Sequence, residues 1–500
     1  METLFIHVTN KGQPKIKFIS TGFIALANYL KSKGHDIKII NTFIEEELNK
    51  DFNLTEYIKK NNYKILCFSL QWHYQSKAVI NAIKEIKQAL PNSKVILGGK
   101  TASFFSDEIM ENFKEIDYII RGYAELPLLN LIDSIKNNKP LENIPNLIWR
   151  KDNNIIKNKE IYLPTKEILG ELEFSNTELV NNNQTYDKTG LAYEDKENKW
   201  LLVYNCGIGC PYDCSFCAGS KSCQKYVNSE LSQPIFIEHE EVLKRLKTMA
   251  EKGLGVWYTS FDPLPGADYY PNLFKKISQN NLNIRCKFEC CGLPTKGFIK
   301  QFKETFKDGS ELVLSPETGS ESVRKKNKGY FYTNKQLIST LNEIEEHNLS
   351  CVLYFTIGLP NETKEDIVKT LSLVNFLRKR FQNIKITAVP IELEPGSPMF
   401  VNSEDLNIKK NRNTFIDYYK LEEKPDLGYS TNHLSEQEII EAAKLINIEA
   451  NCKTTRSVFL KAMTDTLFDP DYFNIKDIWN YCSVCRHFKE CFKYPLNKKL

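Results

Sequence analysis

Twice along the chain, short apolar runs rich in β-branched and aromatic residues alternate with longer amphipathic stretches, and this alternation restricts the fold more than any other feature. The first series runs "LFIHV", "FIALANYLKSKG", "DIKII", "KILCFSL", "AVINAIKEIKQAL", "KVILGG", "DYIIRG" and "LPLLNLIDSI". Strand period followed by helix period, repeated, predicts a parallel sheet with helices on both faces. Residues 1–140 are therefore expected to form a Rossmann-like domain. The second series starts at "WLLVYN" and continues through "GVWYTSF", "NIRCKFE", "ELVLS", "CVLYFTIG" and "IKITAVPIE", with helical patterns such as "EEVLKRLKTMAEKG" and "KEDIVKTLSLVNFLRKR" between them. Six βα units over 199–405 predict a partial parallel barrel, whose chemistry belongs at the C-terminal ends of its strands.

The remaining segments are shorter. Residues 141–198 turn polar and Asn-rich ("VNNNQTYDKTGLAYEDKENK") and read as a linker with a hairpin around "LIWRKDNNIIKN". Residues 406–500 read as a helical region ("SEQEIIEAAKLINIEAN") ending in the cysteine-rich "YCSVCRHFKECFKYP". The fold class is thus α/β, and 500 residues with 41% hydrophobic content suffice for about three domains. A net charge of +4, from 67 basic and 63 acidic residues, gives no electrostatic argument for nucleic acid as a partner. The opening "METLFIHVTNKGQPKIKFIS" has no uninterrupted apolar core beside a cleavage-like site, and no apolar run approaches the ~20 residues of a membrane span. The expectation is a cytoplasmic protein with no membrane partner, in which clustered thiols hold metal or do chemistry.

Five of the 14 cysteines crowd into "YNCGIGCPYDCSFCAGSKSCQKY": Cys206, Cys210, Cys214, Cys217 and Cys223. The loop follows the first barrel strand and so lies at the predicted mouth. Cys210, Cys214 and Cys217 stand as C-x3-C-x2-C, with Phe216 before the last thiol. Three thiolates from one loop can hold three irons of a cubane cluster and leave the fourth iron open. A zinc knuckle is the alternative and would need a fourth ligand. Cys206, four residues before Cys210, leaves a shifted set conceivable.

"GCPYDCSFC" resembles the signature of the radical S-adenosylmethionine (radical SAM) superfamily. In that family the three cysteines bind a [4Fe–4S] cluster whose open iron chelates the amino and carboxylate groups of SAM, and the cluster's electron cleaves SAM to a 5′-deoxyadenosyl radical. The resemblance implies an external electron donor such as flavodoxin or ferredoxin, and it assigns Phe216 to the cofactor side. "SFDPLPG" takes the place of the family's Gly-Gly-Glu-like segment, so Asp262 stands as substitute for the missing Glu, or as a loop cap. "SPETGSESVRKKNKG" resembles the "ESGS" segment, giving Ser315, Glu317 and Ser320 roles near the SAM ribose and carboxylate; Ser320 also reads as a helix N-cap. "TIGLPNET" resembles "GLPGET", where Gly358 permits close approach to the adenine and Pro360 fixes the bend, with Asn361 before Glu362 in place of the usual glycine. "EPGSPMF" resembles "PGTPLY".

The first domain narrows the resemblance. "ISTGFIALANYLKSKGHDIKIINTF", "VILGGKTASFF" and "IDYIIRGYAELPLLNLI" resemble segments of the radical SAM subgroup with an N-terminal cobalamin-binding domain. Gly98 and Gly99 end a strand where a bulky ligand tail can come close, and Gly122 and Glu125 fall in the match to "RGEGE". No D-x-H-x-x-G motif is present to give cobalt a histidine. "SLQWHYQ" offers Ser69, Gln71, Trp72 and His73 near that site, with His73 read as a satisfied interface histidine ahead of a cobalt ligand. In the tail, Cys482, Cys485 and Cys491 (C-x2-C-x5-C) resemble a fragment of an auxiliary-cluster motif. They form a second candidate metal site, iron–sulfur or zinc, which Cys452 or His487 would complete; free thiols are the alternative. Cys67, Cys286, Cys290, Cys291 and Cys351 lie in or beside strands and read mostly as core.

The resemblance implies a cobalamin-dependent methyltransferase acting on an unactivated carbon of a small molecule or peptide. In the family, one SAM methylates cob(I)alamin and a second yields the radical. The alternative is a non-methylating rearrangement, cyclisation or heteroatom insertion. Methylthiolation of tRNA fits poorly, because the first domain has no cysteine trio for a second cluster.

Overall fold

The computed structural model describes residues 2–9, 18–152, 154–189, 201–227, 231, 233–253, 255–421 and 426–451. The tail cysteines Cys482, Cys485 and Cys491, with Cys452 and His487, lie outside the described residues.

The first series of apolar runs forms one sheet. Strands β1 (Thr3–His7), β2 (Ile37–Asn41), β3 (Ile65–Ser69), β4 (Lys94–Gly98) and β5 (Tyr118–Ile120) are parallel in the order β2-β1-β3-β4-β5. β1 and β3 are buried along their whole length, as strands covered on both faces must be. The hairpin expected between the two series does form, as β6 (Leu147–Lys151) and β7 (Asn154–Lys157). It is no free linker: β6 pairs antiparallel with β5 and extends the sheet to seven strands. The chain then crosses to the other edge, where Ile39 and the Leu179–Asn181 segment exchange backbone hydrogen bonds of 2.8 and 2.7 Å.

The second series forms a six-stranded parallel sheet in chain order. Its strands are β8 (Leu201–Val203), β11 (Val256–Thr259), β12 (Arg285–Cys290), β13 (Glu311–Glu317), β14 (Ser350–Ile357) and β15 (Ile384–Pro390), with the short antiparallel pair β9 (Gly207–Ile208) and β10 (Ile235–Phe236) between β8 and β11 in the chain. Sequential order with intervening helices is the partial barrel that the pattern predicts. Period-two alternation sorts its side chains. Cys286, Phe288 and Cys290 are buried, and Phe288 packs on Phe274, Phe298 and Phe302 of the covering helices. Tyr258, Lys287 and Glu289, on the opposite face, are half-buried in the lumen. The last strand is covered by the helix Glu436–Ala450, whose Asn447 amide bonds both the N–H (2.8 Å) and the C=O (2.7 Å) of Ala388. An edge that would otherwise stay unpaired is thereby closed. The C-terminal region also contains an antiparallel pair, β16 (Ile408–Lys410) with β17 (Tyr429–Thr431).

An aromatic seam joins the two sheets. Phe104 and Phe105, at the end of the short helix Lys100–Phe104 that follows β4, meet Phe400 edge-on at 5.5 and 6.1 Å, and Phe105 also meets Phe415 and Tyr418. Polar ties run alongside: His73 to Glu392 (2.8 Å), Lys100 to Glu394 (3.2 Å) and the Phe415 N–H to Glu108 (2.6 Å). The C-terminal edge of the first sheet thus faces the loops after β15.

Candidate functional site

The cysteine loop leaves β8 and is pinned from beneath. Ser215 donates its N–H to Asn327 O (2.9 Å) and its hydroxyl to Asn327 Oδ1 (2.7 Å), while Met399 N–H donates to Ser215 O (2.8 Å). Three of the five cysteines share one property: each thiol accepts a backbone N–H. Cys210 takes it from Tyr212, Cys214 from Gly329 (3.2 Å) and Cys217 from Gly219 (3.3 Å). Donors aimed at sulfur stabilise a thiolate that ligates iron. Partial burial raises the Cys210 and Cys214 thiols, so at neutral pH each keeps its proton until a metal displaces it, while Cys217 is exposed. Among the described residues no three His, Cys, Asp or Glu side chains gather around a single ion. A cubane makes no such demand, since each thiolate binds its own iron. The donor set fits a [4Fe–4S] cluster.

The other two cysteines are differently employed. Cys206 is fully buried beside the Tyr269 and Tyr270 hydroxyls. Cys223 is buried and donates to Gly396 O (2.5 Å). Phe216 is half-buried and packs on the core beneath the loop.

Around the thiols lie the ends of the barrel strands. Glu317, last residue of β13, sits in the left-handed region (φ 62°) beside a register shift in the β13–β14 pairing. Its carboxylate pairs with the buried Lys328 ammonium at 2.7 Å and accepts from Thr356 at 2.5 Å. Lys328 in turn acts electrostatically on Cys214. Asp262 is buried after β11, and desolvation pushes its carboxyl up to about 7. Its backbone N–H bonds the Cys291 thiol. Cys291 is the exception among the strand cysteines: it is half-buried at the mouth, within electrostatic reach of Asp262 and Cys210. Below it in the lumen, Tyr258 donates to Glu289 at 2.8 Å.

The other motif residues divide. Ser315 accepts the Tyr332 hydroxyl on its carbonyl (3.1 Å). Ser320 occupies an N-cap position without capping; its hydroxyl donates to Asp366 (2.7 Å). Gly358 (φ 97°) has no room for a Cβ, which would lie 2.3 Å from the Tyr429 hydroxyl. The turn there is organised by Glu362, whose Oε2 accepts the N–H groups of Gly358 (2.8 Å) and Leu359 (3.3 Å). Asn361 takes φ 60°, the conformation a glycine would supply.

Across the cleft, Ser69 pairs with Gly98 at the ends of β3 and β4. Gly99 (φ 105°) passes so close to the next loop that a Cβ would lie 2.6 Å from Leu70 O. Ser103 ties it to Gly122, donating to Gly99 O (2.8 Å) and accepting from Gly122 N–H (2.9 Å). Gln71, Trp72, His73, Lys100 and Thr101 line a cleft against Glu394 and Pro395 of "EPGSPMF". Cys217 feels both Lys100 and Glu394, so this cleft opens beside the cysteine loop. His73 is buried and spent on Glu392, the satisfied interface role expected for it. Lys328, Cys291, Glu289 and Lys100 carry no motif of their own. Lys328 and Lys100 had one signal each, their places inside "SPETGSESVRKKNKG" and "VILGGKTASFF".

Comparison with known proteins agrees with this geometry. Residues 204–374 match the family model of the radical SAM superfamily, and residues 15–132 that of the B12 binding domain. An uncharacterized methyltransferase of Pyrococcus horikoshii is 22% identical over 365 residues, 71% of this chain and 73% of its own. Two solved structures share the fold. One is the radical S-adenosylmethionine methyltransferase TsrM of Kitasatospora setae with tryptophan substrate and a SAM analogue bound (TM-score 0.64, 16% identity, 82% of this chain and 78% of that one). The other is the cobalamin-dependent S-adenosylmethionine radical enzyme OxsB with aqua-cobalamin bound (TM-score 0.64, 15% identity, 98% and 70%). The chain belongs to the radical SAM superfamily, and within it to the enzymes that carry an N-terminal B12-binding domain.

Proposed function

We propose that this protein is a cobalamin-dependent radical SAM methyltransferase acting on an unactivated carbon of a small molecule or peptide in the cytoplasm. One observation carries the reading: the loop whose three thiols each accept a backbone N–H opens on the same cleft as the β3 and β4 loop ends of the B12-binding domain. When bound, the cluster with SAM supplies a 5′-deoxyadenosyl radical, and the corrinoid supplies a methyl group to a carbon that offers no lone pair for ordinary transfer. Cys210, Cys214 and Cys217 would hold the cluster. The N–H groups of Tyr212, Gly219 and Gly329 would share its negative charge. The Glu317–Lys328 pair and Asp262 would partner SAM's charged groups, and Ser69, Gly98, Gly99 and Gly122 would admit the corrinoid. The seam of Phe104, Phe105 and Phe400 would hold the two sheets together beside the cleft. Cys482, Cys485 and Cys491 are a second candidate metal site.

The test is cofactor content. Protein purified anaerobically should retain cobalamin with its nucleotide tail displaced from cobalt. Because His73 is engaged with Glu392 and the D-x-H-x-x-G motif is missing, EPR of the cob(II)alamin form should show no imidazole nitrogen. Folded protein with an intact cluster that binds no corrinoid would remove the methyltransferase reading.

A further inference from the structure

Cluster chemistry needs an electron from outside, and among the described residues a surface beside Cys214 is suited to receive it. Cys214 is bonded by the N–H of Gly329, and Gly329 is itself exposed. A cluster thiol is therefore one hydrogen bond from solvent. Around that point positive charge predominates. The helix Glu321–Asn327 ends against the cysteine loop through Asn327 and Ser215, and its last turn presents Lys325 and Lys326, both exposed. From the loop itself Lys221 and Lys225 are exposed, and the Lys221 N–H bonds Tyr212 O at 2.8 Å. Lys221, Lys325 and Lys326 have no ion-pair partner among the described residues. The acids of the same two segments are fewer and each already holds a backbone donor: exposed Asp213 accepts the Ser222 N–H (2.7 Å) and half-buried Glu321 the Asn334 N–H (2.7 Å). Two residues beyond Gly329, Phe331 is 41% exposed, one of the few large apolar side chains left open. An apolar contact ringed by unpaired cations is how a surface selects an anionic protein partner and speeds its encounter.

We infer that Lys221, Lys325, Lys326 and Phe331 form the docking surface for a small acidic one-electron carrier protein, with Gly329 N–H to Cys214 Sγ as the point of electron entry. The inference rests on the cluster assignment above. In the transfer the reduced carrier loses one electron and the oxidised cluster gains one; no bond forms or breaks.

The experiment compares two reductants on reconstituted full-length protein, following loss of the cluster's visible absorbance by stopped flow. Reduced flavodoxin is the carrier probe, and dithionite, a small ion that needs no docking, is the control. The double variant K325E/K326E changes exposed side chains only. With flavodoxin at low ionic strength it should reduce about tenfold more slowly than wild type, and the wild-type rate should fall steeply with added salt. With dithionite the two proteins should match. K59E/K60E, on the helix Leu54–Lys60 of the other domain, alters net charge equally and should leave the flavodoxin rate unchanged. F331A should slow flavodoxin reduction without changing its salt slope. Equal flavodoxin rates for K325E/K326E and wild type, or equal slowing by K59E/K60E, would overturn the inference. A failure to assemble a cluster or to cleave SAM with dithionite would strike the functional reading instead, so the two failures are distinguishable.

Discussion

Among five cysteines in one loop, spacing singles out Cys210, Cys214 and Cys217 but leaves a register containing Cys206 conceivable. The structure adds what spacing lacks, the direction of each side chain. Cys206 is buried beside two tyrosine hydroxyls, and Cys223 is bonded to Gly396 O. Changing Cys210, Cys214 or Cys217 singly to Ala should therefore abolish retention of the cluster's iron, measured after anaerobic reconstitution. Cys206→Ala should keep the iron and cost about 1 kcal/mol of stability from the lost buried sulfur. A second prediction concerns buried acids. Burial raises the Asp262, Glu125 and Glu362 carboxyls each to about 7. Their folded values exceed the unfolded ones, so between about 4 and 7 the folded chain binds more protons, and stability falls as pH rises through that window. The urea midpoint should accordingly drop from pH 5 to pH 8. Glu362→Gln, which keeps an acceptor for the Gly358 N–H, should make the drop shallower; an unchanged slope would show that Glu362 does not titrate there. The Glu317–Lys328 pair was not legible in the sequence, because an ion pair across 11 residues depends on where a bulged strand and the end of a short helix meet.

At the level of elements, period and polarity were enough to find every strand of both parallel sheets. A strand buried on both faces and a helix with one wet face leave different marks in sequence, and "LFIHV" against "AVINAIKEIKQAL" shows the difference. What the pattern could not convey is partnership. The hairpin of β6 and β7 was visible in "LIWRKDNNIIKN", but its pairing with β5 depends on an open sheet edge that local sequence does not mark. The β16–β17 pair went unseen because its segments, "IKK" and "YST", make no apolar run. Turns were readable where one residue must take an unusual conformation. At the end of β14 the Gly358→Ala variant combines a left-handed backbone with a collision against Tyr429 and Ile439. It should destabilise the protein by about 1–3 kcal/mol in backbone strain alone. Thermal unfolding would check it, and a stability equal to wild type would show that the turn adapts.

On the scale of the whole molecule, function lies between two units that the sequence describes separately. The resemblance of residues 15–132 and 204–374 to two known families says which cofactors each unit handles, but not that Gln71, Trp72 and Lys100 come to face Glu394 and Pro395. That juxtaposition is made by the aromatic seam and by His73–Glu392 and Lys100–Glu394, pairs 319 and 294 residues apart in sequence. No local pattern encodes such contacts. Their consequence is that a corrinoid held by the first sheet and a cluster held by the cysteine loop would look onto one space. Methyl transfer needs that arrangement, and two independent binding modules would not.

The measurement that tests this most directly uses SAM labelled in its methyl group, under reducing conditions, with protein carrying both cluster and cobalamin and no substrate added. Wild-type protein should place label on the corrinoid and also release 5′-deoxyadenosine. The Cys210→Ala, Cys214→Ala and Cys217→Ala variants should release no 5′-deoxyadenosine. Cobalamin that stays bound but unlabelled, or 5′-deoxyadenosine released undiminished by the cysteine variants, would contradict it.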